Sequence, residues 1–240
     1  MVIQESFLAH WMLYLESRSR MANFYSAVFF DMDGLFVDSE PLWLQAETEL
    51  MANFGYQWRQ EDQNYCLGGP LSKVGQYMFD KVKTDKSPEY FTDAVISLMT
   101  KKLSSGAPVM PGALELLEDL KQNKIPTALV SASPRVLVDA VLQSVPQHTF
   151  SFSLSADDVE NPKPNPEAYL KAAEKFAVQI RDCLILEDSP TGVKAATTSG
   201  AFVIAVPHFV EVEPTERLRV ISSLTELSFK NLLTSYAQDR

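Results

Sequence analysis

Cysteine is nearly absent from this 240-residue chain: there are two, Cys66 and Cys183, too few for a disulfide framework. Histidine is almost as scarce. His10, His148 and His208 are far apart, so no Cys/His cluster has the spacing of a zinc site. Positive charge is also short, with 21 Lys and Arg against 31 Asp and Glu and a formal net charge of -10. Such a chain has no electrostatic reason to seek nucleic acid or an anionic membrane. No apolar run approaches the ~20 residues that a spanning helix needs. Internal repeats and low-complexity segments are missing, and there is no Gly-x-x-x-x-Gly-Lys-Ser/Thr loop, which excludes a P-loop kinase.

What is present is ordinary for a globular protein, with 46% hydrophobic and 22% charged residues. The length suits one large domain or two modest ones, enough to bury a sizeable core. Cys183 sits in the apolar run Asp182-Cys-Leu-Ile-Leu186 and reads as a small buried hydrophobe. Two unpaired cysteines fit a reducing, cytoplasmic setting. At the start, Phe7 to Leu15 is mostly apolar but interrupted by His10. It lacks the basic start and small-residue cleavage site of a signal peptide. Residues 1–22 read as an N-terminal extension: an extra helix, or an upstream translation start with the functional protein beginning near Met21.

Five short apolar runs read as buried strands: 26–30, 126–130, 150–154, 182–186 and 201–206. The third alternates and reads as less buried. Helical patterns separate most of them. Ala113 to Asn123 carries Leu114, Leu117 and Leu120 at helical spacing. Pro134–Leu142, Pro166–Phe176 and Pro190–Thr198 follow Ser133, Asn165 and Ser189, each a good N-cap ahead of a proline. Strands alternating with helices argue an α/β fold with a doubly wound parallel sheet. One stretch breaks the alternation. Residues 41–108 contain no convincing strand but three candidate helices, Pro41–Phe54, Leu71–Val82 and Pro88–Leu103. A connection this long inside a compact fold points to an inserted domain. The expected organisation is a catalytic core of 23–40 plus 109–240 and a helical cap of 41–108, joined near Ser39 and Val109.

Four polar clusters fall at or just beyond the C-terminal ends of expected strands. They are Asp31-Met-Asp33-Gly34, Ser131-Ala132-Ser133, Lys163 within Asn161-Pro-Lys-Pro164, and Glu187-Asp188-Ser189. Each alone has a bland reading as a solvated turn, a helix cap, a surface lysine or a loop. In open α/β sheets, however, ligands bind outside the carboxyl ends of the strands, and all four clusters meet there. Four carboxylates in one place repel unless a cation sits among them. All-oxygen ligands suit Mg²⁺, which often bridges carboxylates to a phosphate. Ser131 and the N–H groups opening the helix at Ser133-Pro134 offer donors to anionic oxygens. One carboxylate can attack a phosphoryl group. A second, two residues on, can protonate the leaving oxygen and then activate water, since side chains two apart on an extended strand point the same way. Gly34 lets the chain turn sharply behind them.

In this order the four clusters resemble the four motifs of the haloacid dehalogenase superfamily, over roughly residues 27–206. The helical insert between the first two resembles the branch that includes β-phosphoglucomutase and many sugar-phosphate phosphatases. Ser39-Glu-Pro-Leu-Trp43 is most similar to bacterial hexitol and deoxyglucose phosphate phosphatases. The resemblance implies Asp31 as nucleophile and metal ligand, and Asp33 as general acid/base with its backbone carbonyl on the metal. It implies Asp188 as a metal ligand, with Glu187 supporting directly or through water. Ser131, the Ala132 N–H and Lys163 would hold the phosphate. Mg²⁺ is the implied cofactor, and the implied partner is a small phosphorylated metabolite, with neither nucleic acid nor membrane involved; a monomer is consistent with this chemistry. Dehalogenases of the superfamily lack the second aspartate, so Asp33 favours an oxygen leaving group. The mutase branch carries a histidine where Trp43 stands, and an arginine after the turn at Leu67-Gly-Gly-Pro-Leu-Ser-Lys73. That arginine is missing, and Lys73 would replace it only as a point charge. A phosphatase is therefore expected, with a sugar phosphomutase as the alternative.

Overall fold

The computed structural model describes residues 24–66, 70–207 and 212–238. The expectation for residues 1–22 and the Leu67-Gly68-Gly69 turn lie outside the described residues.

Six parallel strands form one sheet in the order β3-β2-β1-β4-β5-β6. They are β1 (Val28–Phe30), β2 (Thr127–Val130), β3 (Phe152–Leu154), β4 (Leu184–Glu187), β5 (Phe202–Ala205) and β6 (Leu218–Val220). This is a doubly wound α/β sheet, and its order reverses direction between β1 and β4, which makes that junction the topological switch point. The central strands read as unbroken apolar runs because both faces are covered. Along β1 the period of two shows directly: Phe29 packs with Tyr169 and Ile185 on one face, while Val28 and Phe30 join Leu129 and Leu186 on the other. The expected third strand is the half-buried edge β3. The opposite edge, β6, lay beyond the expected strands. It is three residues long, and Arg219 at its centre masks the apolar signal.

Five helices separate β1 from β2, and the first four fall within the expected insert: α1 (Glu40–Ala52), α2 (Gln60–Cys66), α3 (Leu71–Lys81) and α4 (Pro88–Ser104). Three were expected. The fourth, α2, is short and polar, so it has little apolar periodicity to read. α4 packs against α1 and α3, and also against α6 (Arg135–Ser144) of the strand-bearing part. The linkers before α1 and after α4 run side by side. Asp38 N donates to Pro108 O at 2.8 Å and Met110 N to Phe36 O at 2.9 Å.

The other helices, α5 (Ala113–Gln122), α7 (Glu167–Lys175), α8 (Pro190–Ser199) and α9 (Phe229–Gln238), complete the layers. α8 starts as its sequence predicts: the Ser189 side chain accepts from Gly192 N at 3.0 Å, and Gly200 ends the helix in the left-handed region at φ +86°. Asn165 likewise accepts from Glu167 N at 3.0 Å. The expected Ser133 cap of α6 is a correction. Asp157, after β3, accepts from Arg135 N at 2.8 Å, which frees the Ser133 hydroxyl for another partner. No helix among the described residues is long and apolar enough to cross a membrane.

Candidate active site

The strands deliver the polar clusters to one edge. β1 ends at Phe30, and Asp31 N donates to Leu186 O of β4 at 3.0 Å, so the first aspartate sits on the switch point. β4 carries Glu187 as its last residue and Asp188 follows. The chain after Asp31 folds into a tight loop: Gly34 N donates to Val37 O and Val37 N to Met32 O, with Gly34 at φ +80°. A Cβ at Gly34 would lie 2.2 Å from Asp188 Oδ2. Glycine there meets both a conformational and a steric demand.

Lys163 is the hub. Its side chain is 3% exposed, and its Nζ donates to Asp31 Oδ1 at 2.6 Å, Glu187 Oε1 at 2.7 Å and Val130 O at 2.8 Å. Burial opposes its charge, yet the carboxylates of Asp31 and Glu187 outweigh that and raise its pKa. Glu187 is fully buried and surrounded by donors. Tyr169 OH reaches Oε1 at 2.6 Å, and Asp188 N and Ser189 Oγ face Oε2 at 3.2 and 3.4 Å. A Cβ at Gly192 would lie 1.9 Å from Glu187 Oε1. The sequence suggested a metal-supporting role for Glu187. The geometry makes it first the anchor that holds Lys163.

Asp31, Glu187 and Asp188 each place a carboxylate oxygen within 4.8 Å of the others'. Burial and mutual repulsion push the pKa values of Asp31 and Asp188 upward. Asp188 Oδ1 is buried without a hydrogen-bond partner. One lysine is therefore too little charge for three carboxylates. An orphaned hard oxygen among all-oxygen donors fits a divalent cation of the Mg²⁺ or Ca²⁺ type. Asp33 stands outside this trio. Ser39 Oγ donates to its Oδ1 and Ser133 Oγ to its Oδ2, both at 2.7 Å. The strand ends at Phe30, so the period of two does not extend to Asp33, and the two carboxylates have different partners. Both still line the same cavity.

That cavity has a volume of about 350 Å³, at the small end for metabolite sites. On the sheet side it is walled by Asp31, Asp33, Ala132, Ser133, Lys163 and Asp188, with the start of α8 beside them. Ser131 is buried behind this wall. Its Oγ accepts from Ser133 N at 2.9 Å, so it shapes the loop whose tip, Ala132-Ser133, faces the cavity. The helices close the other side with Glu40, Trp43, Glu47, Gln63, Leu71 and Val74. Among the described residues lining the cavity, Lys163 is the one cation.

None of Glu40, Glu47 and Gln63 was among the expected site residues, although Glu40, Trp43 and Glu47 are spaced three and four apart, a legible helical face. Tyr56 and Tyr77 hydroxyls instead donate to buried Asp62, and Tyr65 stacks on Tyr77, so these aromatics pack the helices. Lys73 lies over the Tyr65 ring at 4.3 Å and takes no part in the cavity. Cys66 and Cys183 are buried, unpaired thiols whose pKa values burial pushes up to about 12.

Comparison with known proteins points to one family. Hexitol phosphatase B of Escherichia coli is 32% identical over 214 residues, covering 86% of this chain and 96% of its own. A probable pseudouridine-5'-phosphatase of Drosophila melanogaster is 32% identical over 209 residues, covering 82% and 89%. Among solved structures, CbbY of Rhodobacter sphaeroides in complex with phosphate superposes with a TM-score of 0.76 at 23% identity, covering 88% of this chain and 99% of its own, a likeness of fold. Residues 28–206, from β1 to the end of β5 and every polar cluster between, match the haloacid dehalogenase-like hydrolase family, and the chain belongs to it.

Proposed function

We propose that this enzyme is a Mg²⁺-dependent phosphatase that hydrolyses small sugar or polyol monophosphates through an aspartyl-phosphate on Asp31. The observation that carries this reading is the buried Lys163–Asp31 contact at 2.6 Å, on the switch point and open to the cavity. A nucleophilic carboxylate is held there at a fixed angle, and the same ammonium can follow the phosphoryl group as charge develops.

Asp31 attacks phosphorus with a carboxylate oxygen as the ester P–O bond breaks, and the departing alkoxide takes a proton from the Asp33 carboxyl. Asp33, now a carboxylate, takes a proton from water as that water attacks phosphorus. Inorganic phosphate leaves, and both aspartates return to their starting forms. In the present arrangement Asp33 is turned to Ser39 and Ser133, so it must release at least one of these hydroxyls to reach the leaving oxygen. Ala132 and Ser133 line the phosphate end, with Ser131 setting their loop. Asp31 and Asp188 would hold the cation, with the Asp33 backbone carbonyl and Glu187 in support. A cation held there would neutralise the carboxylates and supply Lewis-acid stabilisation to the phosphoryl group. Helices α1–α4 act as the cap that excludes bulk water.

The mutase alternative needs a second phosphate holder. Lys73 is engaged with Tyr65, and no described residue on the helical side of the cavity is cationic, so hydrolysis is favoured. A cytoplasmic setting fits the two unpaired cysteines.

The test is phosphate release from sugar, polyol and nucleotide monophosphates with Mg²⁺, with EDTA and with Asp31→Asn. Metal-dependent release that the substitution abolishes supports the reading. Release that survives Asp31→Asn overturns the nucleophile, and isomerised sugar phosphate without net release turns the assignment to a mutase.

A further inference from the structure

Glu47 lies four residues beyond Trp43 and seven beyond Glu40, so all three side chains share one face of α1 and line the cavity across from Asp31. Glu47 is 3% exposed, yet its Oε2 has no hydrogen-bond partner. A buried acceptor left bare is costly, and the Trp58 indole, close enough to lower the Glu47 pKa, makes no hydrogen bond to Oε2. The Trp58 indole N–H donates to Gln63 Oε1 at 3.2 Å, and Leu71 and Val74 of the same wall are apolar. No described residue on the helical side of the cavity carries a positive charge, so Glu47 has no ion-pair partner there. Glu40 beside it adds repulsion rather than relief. The missing donor therefore has to come from the occupant of the cavity.

We propose that Glu47 is the specificity-determining residue of the cap, accepting a hydroxyl hydrogen from the leaving-group end of the phosphomonoester. The cavity then selects hydroxylated, uncharged leaving groups. A second anion finds no cation on the helical wall to receive it, and a bare apolar group leaves Oε2 unsatisfied. The inference rests on the phosphatase reading above and names the residue through which that site discriminates.

The experiment compares kcat and KM for a six-carbon polyol monophosphate and for p-nitrophenyl phosphate, which has no aliphatic hydroxyl. It uses the wild type, Glu47→Leu and Glu47→Gln, with Mg²⁺ present. The expected result is that Glu47→Leu lowers the polyol-to-aryl ratio of kcat/KM by about tenfold or more, chiefly through the KM of the polyol ester. Glu47→Gln, which keeps an acceptor oxygen, retains most of the ratio. Thermal melting separates this from a structural role: Glu47→Leu removes an unsatisfied buried acceptor and should melt no lower than the wild type. A ratio unchanged in Glu47→Leu overturns the inference, as does a fall shared equally by both esters. A preference for an amine-bearing ester such as phosphoethanolamine over the polyol also overturns it, because Glu47 would then act as a countercharge. Wild-type protein that releases phosphate from neither ester overturns the phosphatase reading itself and this inference with it.

Discussion

Replacing Lys163 with methionine isolates the electrostatic logic of the site. The Lys163 side chain is 3% exposed and makes three hydrogen bonds, two of them to Asp31 and Glu187. Methionine conserves much of the volume, so the loss is mainly one of charge and donors. Removing one partner of a buried ion pair costs about 3–5 kcal/mol, because the remaining charge is left uncompensated. Here two buried carboxylates lose their shared cation, which places the cost at the upper end, while uptake of a proton by one of them limits it. For a chain of this size, about 2–4 °C of melting temperature accompanies each kcal/mol, so a drop on the order of 10 °C is expected at neutral pH in EDTA. The deficit should shrink as pH falls through the raised pKa of Asp31 and that carboxylate protonates, and saturating divalent cation should restore part of it. Urea denaturation and thermal melts at pH 5 and pH 8, with EDTA and with Mg²⁺, measure each term. A loss below about 1 kcal/mol at pH 8 in EDTA, or a deficit that does not change with pH, would refute the reasoning that Lys163 compensates buried charge.

Asp188→Asn removes one of three repelling carboxylates and replaces an orphaned oxygen. In EDTA the variant should melt higher than the wild type, but Mg²⁺ should add nothing to it, whereas the wild type gains stability as the ion saturates; calorimetry with and without metal distinguishes the two. Burial pushes the Glu47 carboxyl up to about 8 from the ordinary 4.5 of a glutamate. The folded state therefore holds a proton that the unfolded chain gives up, and this contribution is fully present below pH 4.5 and lost as pH rises to 8. Denaturation across that window should show the stability of Glu47→Gln gaining on the wild type by on the order of a few kcal/mol and levelling off above pH 8. Gly192→Ala would drive a methyl into the Glu187 carboxylate, 1.9 Å from Oε1, displacing the anchor of Lys163. A loss of about 1–3 kcal/mol with a marked fall in kcat is expected, and an unaltered kcat would show that Glu187 does not position the lysine.

The sequence by itself determined five of the six strands and the edge on which the polar clusters gather. Apolar runs such as Leu184–Leu186, proline-marked helix starts and acidic residues at strand ends are local signals. They are written within a few residues of where they act, so Asp31, Asp33, Lys163, Glu187 and Asp188 could be assembled before any contact was known. The tertiary structure decided which atoms meet. Ser133 lies 100 residues from Asp33, and no local rule says that its hydroxyl serves that carboxylate while Asp157 caps the helix. Glu187 could as well have faced the metal as Lys163 and Tyr169. The inward face of α1 was written in the spacing of Glu40, Trp43 and Glu47, but two acids on a helix ordinarily face water. Only the packing of α1–α4 over the switch point buries Glu47 and half-buries Glu40. Hydrogen-bond partners and burial depend on side chains brought together from distant parts of the chain, and that information exists only once the chain has folded.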